Sequence, residues 1–362
     1  MRNVIDSLAI GLFSGAGGLS YGLRKAGFDV RSEVEVDPDC VQTLKQNNKH
    51  ATVIMSDIRK LEPSAILKQT GKGSKKLALI AGGPPCQGFS VSNKRNRDLT
   101  NPVNCLYKEF FKFVKDLSPR LFLFENVEGI CSIGNGEVFQ DIIRTGENLG
   151  YSVSHSTLKS ECFGVPQKRK RVFFIGSKGA SIELPTDNAQ KVISVKDAID
   201  DLPKIENGNA IDVLPYSRSS GLSDYQKNMR LNTQETVSNN LVTKNSELVI
   251  KRYEYIPEGG NWKNIPAKYM SNYKNLSNCH GWIYYRLKWA EPSVVIGNFR
   301  KNMLIHPEQP RGLSVREAAR LQSFPDDYIF CGKLGAQQQQ IANAVPPLLS
   351  EWLGRHLIKE IG

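Results

Sequence analysis

A single cysteine follows an apolar run and a hard stop, and that placement is where chemistry is first expected in this chain. Leu77 to Ala81 reads as a buried strand, and Gly82-Gly83-Pro84-Pro85 ends it, because neither residue type continues a strand well. Cys86 then stands at the carboxyl end of a strand, where open α/β sheets bind their ligands. Gln87-Gly88-Phe89-Ser90 leads on into Asn93-Lys94-Arg95-Asn96-Arg97-Asp98, a polar and basic segment. A thiol beside a basic loop suits a nucleophile presented to an anionic polymer; a buried, inert cysteine is the competing reading.

Two further groups fall where they can share that site. Leu121-Phe122-Leu123-Phe124 is a wholly apolar strand that runs straight into Glu125-Asn126-Val127. Low dielectric at such a strand end favours a protonated acid, which suits a partner for Cys86. A structural carboxylate bonded to backbone is the alternative. Arg169 and Arg171 stand two apart at a strand start, so period-two alternation puts both guanidinia on one face. Two planar forks on one face can hold a carbonyl oxygen, a phosphate or a carboxylate; a solvated charge run is the bland alternative.

The elements that must position these groups begin at the N-terminus. Leu8 to Phe13 is a short strand, Ser14-Gly15-Ala16-Gly17-Gly18 a glycine turn, and Leu19 to Ala26 a helix ending at Gly27. Strand, glycine turn and helix form the first unit of a nucleotide-binding α/β sheet. A second strand, Phe28 to Val36, ends in Glu35, about 20 residues after the turn, the spacing of an acid that accepts from ribose hydroxyls. Pro38 opens a helix through Asn47, and Val53 to Ile58 is a third strand carrying Asp57. Asp57 suits either an adenine amino group or a helix N-cap, and Val36 and Ile58 can sandwich a flat ring. Leu106 to Leu117 is helical with Phe110, Phe111 and Val114 in a stripe, and Pro119 breaks it. Phe139 to Asn148 is a helix and Tyr151 to Leu158 a strand.

From about Pro185 to Trp289 the texture changes. Periodicity fades, and aromatics interleave with basic residues, as in Lys251-Arg252-Tyr253 and Trp282-Ile283-Tyr284-Tyr285-Arg286. This suits contacts to phosphates and base edges, or equally a poorly patterned α+β domain. Ser314 and Glu317 form a capping box before a helix that Pro325 ends, and an amphipathic helix closes the chain through Ile361. The boundaries drawn are a catalytic, cofactor-binding domain over 1–184, completed by 335–362, and a small recognition domain over 185–334.

Composition narrows the partner. The 362 residues exceed one ordinary core, and 48 Lys and Arg against 36 Asp and Glu leave a formal charge of +12, which suits a polyanion. Apolar runs fall far short of a membrane span, and Met1 to Asp6 lacks a signal-peptide core. Seven cysteines without Cys-x-x-Cys spacing point away from zinc or a disulfide framework, and towards a reducing cytoplasm.

Taken together, these motifs resemble the DNA (cytosine-5)-methyltransferases of the bacterial restriction-modification type, nearly end to end and in the family's order. Phe13 to Gly18 resembles the first cofactor motif, with Glu35 and Asp57 at the next two. Gly83-Pro84-Pro85-Cys86-Gln87 matches the nucleophile motif, Glu125-Asn126-Val127 the base-gripping motif, and Gln167 to Arg171 the two-arginine motif. Arg311 to Gln322 resembles the helix before the last cofactor motif, Asn343-Ala344-Val345. The resemblance implies an α/β, Rossmann-like, mostly parallel sheet with helices on both faces, plus a smaller, loop-rich target-recognition domain. It implies S-adenosyl-L-methionine held by Phe13, Ser14, Gly15, Gly17, Gly18, Glu35, Val36, Asp57, Ile58, Gly83, Pro85, Leu106, Asn343 and Val345. The substrate is cytosine flipped from double-stranded DNA, contacted by Gln87, Ser90 and Asn126. Cys86 would add to carbon 6, Glu125 would grip N3 and the amine, Arg169 the base carbonyl, and Arg171 would position groups around Cys86. No metal is implied. A restriction endonuclease would share the target site, and the enzyme would act as a monomer in the cytoplasm, at the nucleoid. The chain departs from the family at Ala342, where glycine is usual, and at Asn101 and Val103, where an acid and an arginine are usual. A tRNA cytosine methyltransferase and a catalytically silent DNA-binding relative are the rival readings. A nicotinamide enzyme is a weaker third, since Tyr21 follows Ser20 where a third glycine is wanted.

Overall fold

A computed structural model describes residues 7–70, 77–85, 106–184, 186, 191–233, 235–273, 281–297, 299 and 304–360. Cys86, Gln87, Ser90, Asn101 and Val103 lie outside the described residues. Two units are described separately: 1–163 with 170–190 and 345–362, and 164–169 with 191–344. The second unit thus takes Gly164 to Arg169 and the stretch 335–344, which the reading above gave to the catalytic domain.

The first unit is a seven-stranded sheet built in the order in which the sequence supplies its elements. They are β1 (Leu8–Leu12), α1 (Gly18–Ala26), β2 (Asp29–Glu35), α2 (Pro38–Asn47), β3 (Thr52–Met55), α3 (Pro63–Gln69), β4 (Leu79–Gly82), α4 (Leu106–Leu117), β5 (Leu121–Val127), α5 (Glu137–Asn148), β6 (Ser152–Lys159) and β7 (Lys170–Ser177). The strand order is β3-β2-β1-β4-β5-β7-β6, with β1 to β5 parallel and β7 antiparallel to both its neighbours. This is a doubly wound α/β sheet. Its order reverses between β1 and β4, the topological switch point where such sheets bind ligands.

The core follows from the apolar strands and the stripe of α4. Phe110, Phe111, Phe122, Phe124 and Phe174 are buried together, with Phe110 and Phe124 edge to face at 5.2 Å, a favoured arrangement for ring quadrupoles. At Gly176 a Cβ would stand 1.9 Å from the Phe122 ring, so only glycine lets the β7 backbone pass that side chain. Gly22 of α1 likewise lies against the helix Pro347–Glu360, where a Cβ would meet Pro347 O and Glu351 N at 2.5 Å. The third strand is shorter than expected. It ends at Met55, because Asp57 turns the chain into a 3-10 turn, Ile58–Lys60, by accepting from Arg59 N–H.

The second unit holds short helices, among them Val195–Ile199, Asp224–Met229, Glu247–Glu254, Val315–Leu321 and Leu334–Asn343, and one two-stranded ladder of Leu214–Pro215 and Thr236–Val237. The Ser314/Glu317 capping box forms as read. All seven residues of Val315–Leu321 are buried, arginines included. Arg320 is satisfied by Asp201 and Asp326, and Arg311 by Glu317. Buried guanidinium groups on carboxylates do the work that an apolar stripe does elsewhere. Among the described residues no helix is long and apolar enough to cross a membrane, and no disulfide joins the described cysteines.

Candidate active site

Glu125 and Arg171 are brought together by strand register. Val127 of β5 faces Arg171 of β7, so Glu125, two residues back on the same face, is the diagonal neighbour of Arg171. Arg171 Nε lies 3.0 Å from Glu125 Oε1, with both side chains nearly buried. Burial pushes the Arg171 guanidinium down, and the carboxylate opposite pulls it back up. Glu125 is therefore an ion-paired carboxylate, and apolar surroundings alone do not describe it.

The end of β4 closes on this pair. A Cβ on Gly83 would stand 2.6 Å from Glu125 Oε2, so the carboxylate rests directly on the Gly83 backbone. Asn126 is buried and donates to Pro84 O at 3.2 Å, while Val127 N–H donates to its Oδ1. The strand leading to Cys86 and the strand carrying Glu125 are thereby joined at their carboxyl ends. In this arrangement Asn126 serves the joint between the strands.

Arg169 is placed differently from the reading above. The strand begins at Lys170, so alternation does not extend back to Arg169. Its side chain is 1% exposed, and its Nη2 donates to Ala342 O and Ala344 O, both at 3.1 Å. Arg171 is the arginine beside Glu125. The Ala342 departure is accommodated as well: Ala342 lies within the helix Leu334–Asn343 and is not among the positive-φ residues, so its backbone does not call for glycine.

The first glycine turn hangs on the end of β2. Ser14 N–H donates to Val34 O at 3.0 Å, and Gly15 N–H to Glu35 Oε2 at 2.6 Å. Glu35 Oε1 accepts from Val36 and Asp37 N–H. Phe13, Gly15 and Gly17 have φ of 54°, 52° and 80°; strain at a non-glycine such as Phe13 is typical of ligand loops. A Cβ on Gly15 would meet nothing within 4 Å, and Ser14 Oγ is buried without a hydrogen-bond partner. Asp57 realises the capping alternative and also pairs with the Arg59 guanidinium, which holds its carboxyl down to about 2. Val36 is 63% exposed whereas Ile58 is buried in the sheet core, so only Val36 presents an open apolar face. Leu106 packs against the same core, Val345 is buried, and Asn343 Oδ1 accepts from Gln339.

One polar group beneath the turn escaped the sequence reading. Glu33, on β2, is fully buried and pairs with Arg24 and Asn48. Strand alternation marks it as one of the outward polar residues of Asp29 to Glu35. Nothing in that pattern says that a helix covers this face.

The doubly wound sheet carries a carboxylate–guanidinium pair at its carboxyl edge and a glycine turn at its switch point, and likeness to a solved DNA modification methyltransferase makes it an α/β methyltransferase fold. The comparisons agree. Residues 8–359 match the model of the C-5 cytosine-specific DNA methylase family. The type II methyltransferase M1.HphI of Haemophilus parahaemolyticus is 35% identical over 355 residues, 97% of this chain and 86% of that protein. M.DdeI of Desulfomicrobium norvegicum is 35% identical over 384 residues, 98% and 88% of the two chains. A solved structure described as a DNA modification methyltransferase encoded within a prophage (E. coli) superposes with a TM-score of 0.77 at 29% identity, covering 97% of this chain and 98% of that one. A Spodoptera frugiperda DNMT2 variant, at 17% identity and a TM-score of 0.56 over 97% and 99% of the chains, shares the fold. The chain belongs to the C-5 cytosine-specific DNA methylase family and is a DNA cytosine-5 methyltransferase.

Proposed function

We propose that this enzyme methylates carbon 5 of a cytosine flipped out of a specific double-stranded DNA sequence, through a covalent bond between Cys86 and the base, using S-adenosyl-L-methionine. The observation that carries the reading is the Arg171–Glu125 pair resting on Gly83, three residues before Cys86 in the chain. The cofactor supplies, when bound, an electrophilic methyl group. The residues present fit it: a partnerless buried Ser14 hydroxyl, open space at Gly15 and the exposed face of Val36 line the turn at the switch point. Gly17, Gly18, Pro85, Leu106, Asn343 and Val345 belong to the proposed set, and Glu35 and Asp57 reach the cofactor by exchanging present partners.

Carbon 5 of cytosine is a weak nucleophile. The Cys86 thiolate adds to carbon 6, and the electron pair displaced into the ring makes carbon 5 reactive. A free thiol pKa of about 8.5 leaves few thiolates at neutral pH, so the mechanism calls for cations or site dipoles that lower it. Glu125 accepts from the exocyclic amine with one oxygen and, carrying a proton, donates it towards N3 as the thiolate adds, which neutralises the charge pushed into the ring. Arg171, held on Glu125, rather than Arg169, takes the base carbonyl. Arg169 acts as a positioning residue by fixing the carbonyls of Ala342 and Ala344. Gln87 and Ser90, in the segment after Cys86, contact the extruded nucleotide. Loss of the carbon-5 proton expels the thiolate and restores the ring. Extrusion costs a few kcal/mol of unstacking, offset by contacts in the closed site. Likeness to the type II methyltransferases M1.HphI and M.DdeI supports a role in protecting the target of a restriction endonuclease; that the enzyme acts as a monomer in the cytoplasm, at the nucleoid, is part of the proposal and rests on the nature of its substrate.

The test is transfer of labelled methyl to plasmid DNA and to tRNA by wild type and Cys86→Ser. Methylation of plasmid alone, abolished in the variant with cofactor binding retained, supports the reading. Turnover by Cys86→Ser, or failure to trap a covalent adduct with 5-fluorocytosine DNA, refutes it.

A further inference from the structure

Beneath the glycine turn lies a buried acid for which the mechanism above has no use. Glu33 is 0% exposed and stands in register with Gly11 of β1. A Cβ at Gly11 would lie 2.8 Å from Ser20 Oγ, 3.1 Å from Ser14 Oγ and 3.6 Å from Glu33 Cγ. The absence of that Cβ leaves a space that the loop serine and the acid share. Glu33 Oε2 accepts from Asn48 Nδ2 at 2.7 Å and from Arg24 Nη1 of α1 at 3.3 Å. Its Oε1 accepts nothing, and Ser14 Oγ and Arg24 Nη2 are buried without partners as well. A half-satisfied buried charge cluster is costly and adds little stability of its own. Here it sits under the loop that β2 already grips through Val34 O and the Glu35 carboxylate.

We infer that Glu33 is a positioning residue for the cofactor loop. One oxygen ties α1 and the end of α2 to β2, and the other is the acceptor for the Ser14 hydroxyl in the cofactor-loaded protein. The inference rests on the cofactor assignment above. Glu33→Gln keeps the shape and places an amide opposite the Arg24 and Asn48 donors. Affinity of the full-length protein for S-adenosyl-L-methionine is measured by calorimetry for wild type, Glu33→Gln, Ser14→Ala and the double variant. Steady-state kinetics and melting temperatures without cofactor accompany it. Glu33→Gln weakens binding and raises the cofactor KM about tenfold, with kcat and the DNA KM within twofold of wild type. The double variant loses less than the sum of the two single losses, since Ser14 keeps its own place at the cofactor while the coupling between the two groups is lost only once. A lowered melting temperature with unchanged cofactor affinity, or additive losses in the double variant, overturns the inference alone. A wild-type protein that binds no cofactor removes the proposed function and this inference with it.

Discussion

Gly83→Ala tests whether the glycine just past the end of β4 leaves room for the Glu125 carboxylate. The new Cβ would stand 2.6 Å from Glu125 Oε2, about 0.8 Å inside ordinary contact. The carboxylate cannot swing away freely, because its other oxygen is held by Arg171 at 3.0 Å. It must therefore shift by most of an ångström or loosen the ion pair. A misplacement of about 1 Å in a catalytic constellation is worth roughly a hundredfold in rate. A partial shift gives about 10- to 100-fold, or about 1.4 to 2.7 kcal/mol of barrier. The assay is single-turnover methyl transfer to duplex DNA with enzyme in excess, so product release does not mask the step. Glu125→Asp withdraws the carboxylate by one methylene. Gly83→Ala added to Glu125→Asp is then expected to cost little beyond Glu125→Asp alone. A Gly83→Ala rate within twofold of wild type would refute the reasoning, as would full additivity in the double variant.

The second unit makes two further predictions. Arg320→Met takes one guanidinium from the buried carboxylates of Asp201 and Asp326, which keep only Arg230 and the more distant Arg316 as cations, a loss of about 3 kcal/mol. A large fall in melting temperature is expected, with Arg320→Lys between the two, and a variant melting within about 2 °C of wild type counts against the ion cluster's role. Burial holds His306 down to about 4, against an ordinary 6.5, so the unfolded chain takes the proton first as pH falls. Stability is therefore lost between pH 6.5 and 4, by at most about 1.4 kcal/mol per pH unit and about 3 kcal/mol in all. Above 6.5 the group contributes no pH dependence. Glu317, held at about 2 against burial chiefly by Arg311, adds a loss of the same sign between 4.5 and 2. His306→Asn keeps an acceptor for the Glu308 and Gln309 amides and flattens the melting profile from 6.5 to 4.5; an unchanged slope would assign that pH dependence elsewhere.

By itself the sequence determined the alternation of strands and helices and the sheet class. These follow from local rules: apolar runs, glycine and proline stops, and an acid at a strand end are all short-range signals. The helices Pro38–Asn47 and Leu106–Leu117 match their expected ends for that reason, as does the Ser314/Glu317 cap. Tertiary structure decided which side chains meet. The antiparallel register of β5 and β7 pairs Arg171 with Glu125, whereas Arg169, two residues earlier and outside the strand, turns to the Ala342 and Ala344 carbonyls. Glu33 reads as an exposed charge in an alternating strand, yet helices cover both faces of this sheet, and no local pattern encodes what lies above a strand. Partners distant in sequence are chosen by packing, so candidate residues were legible one by one, and which of the described ones stand together was decided only by the fold.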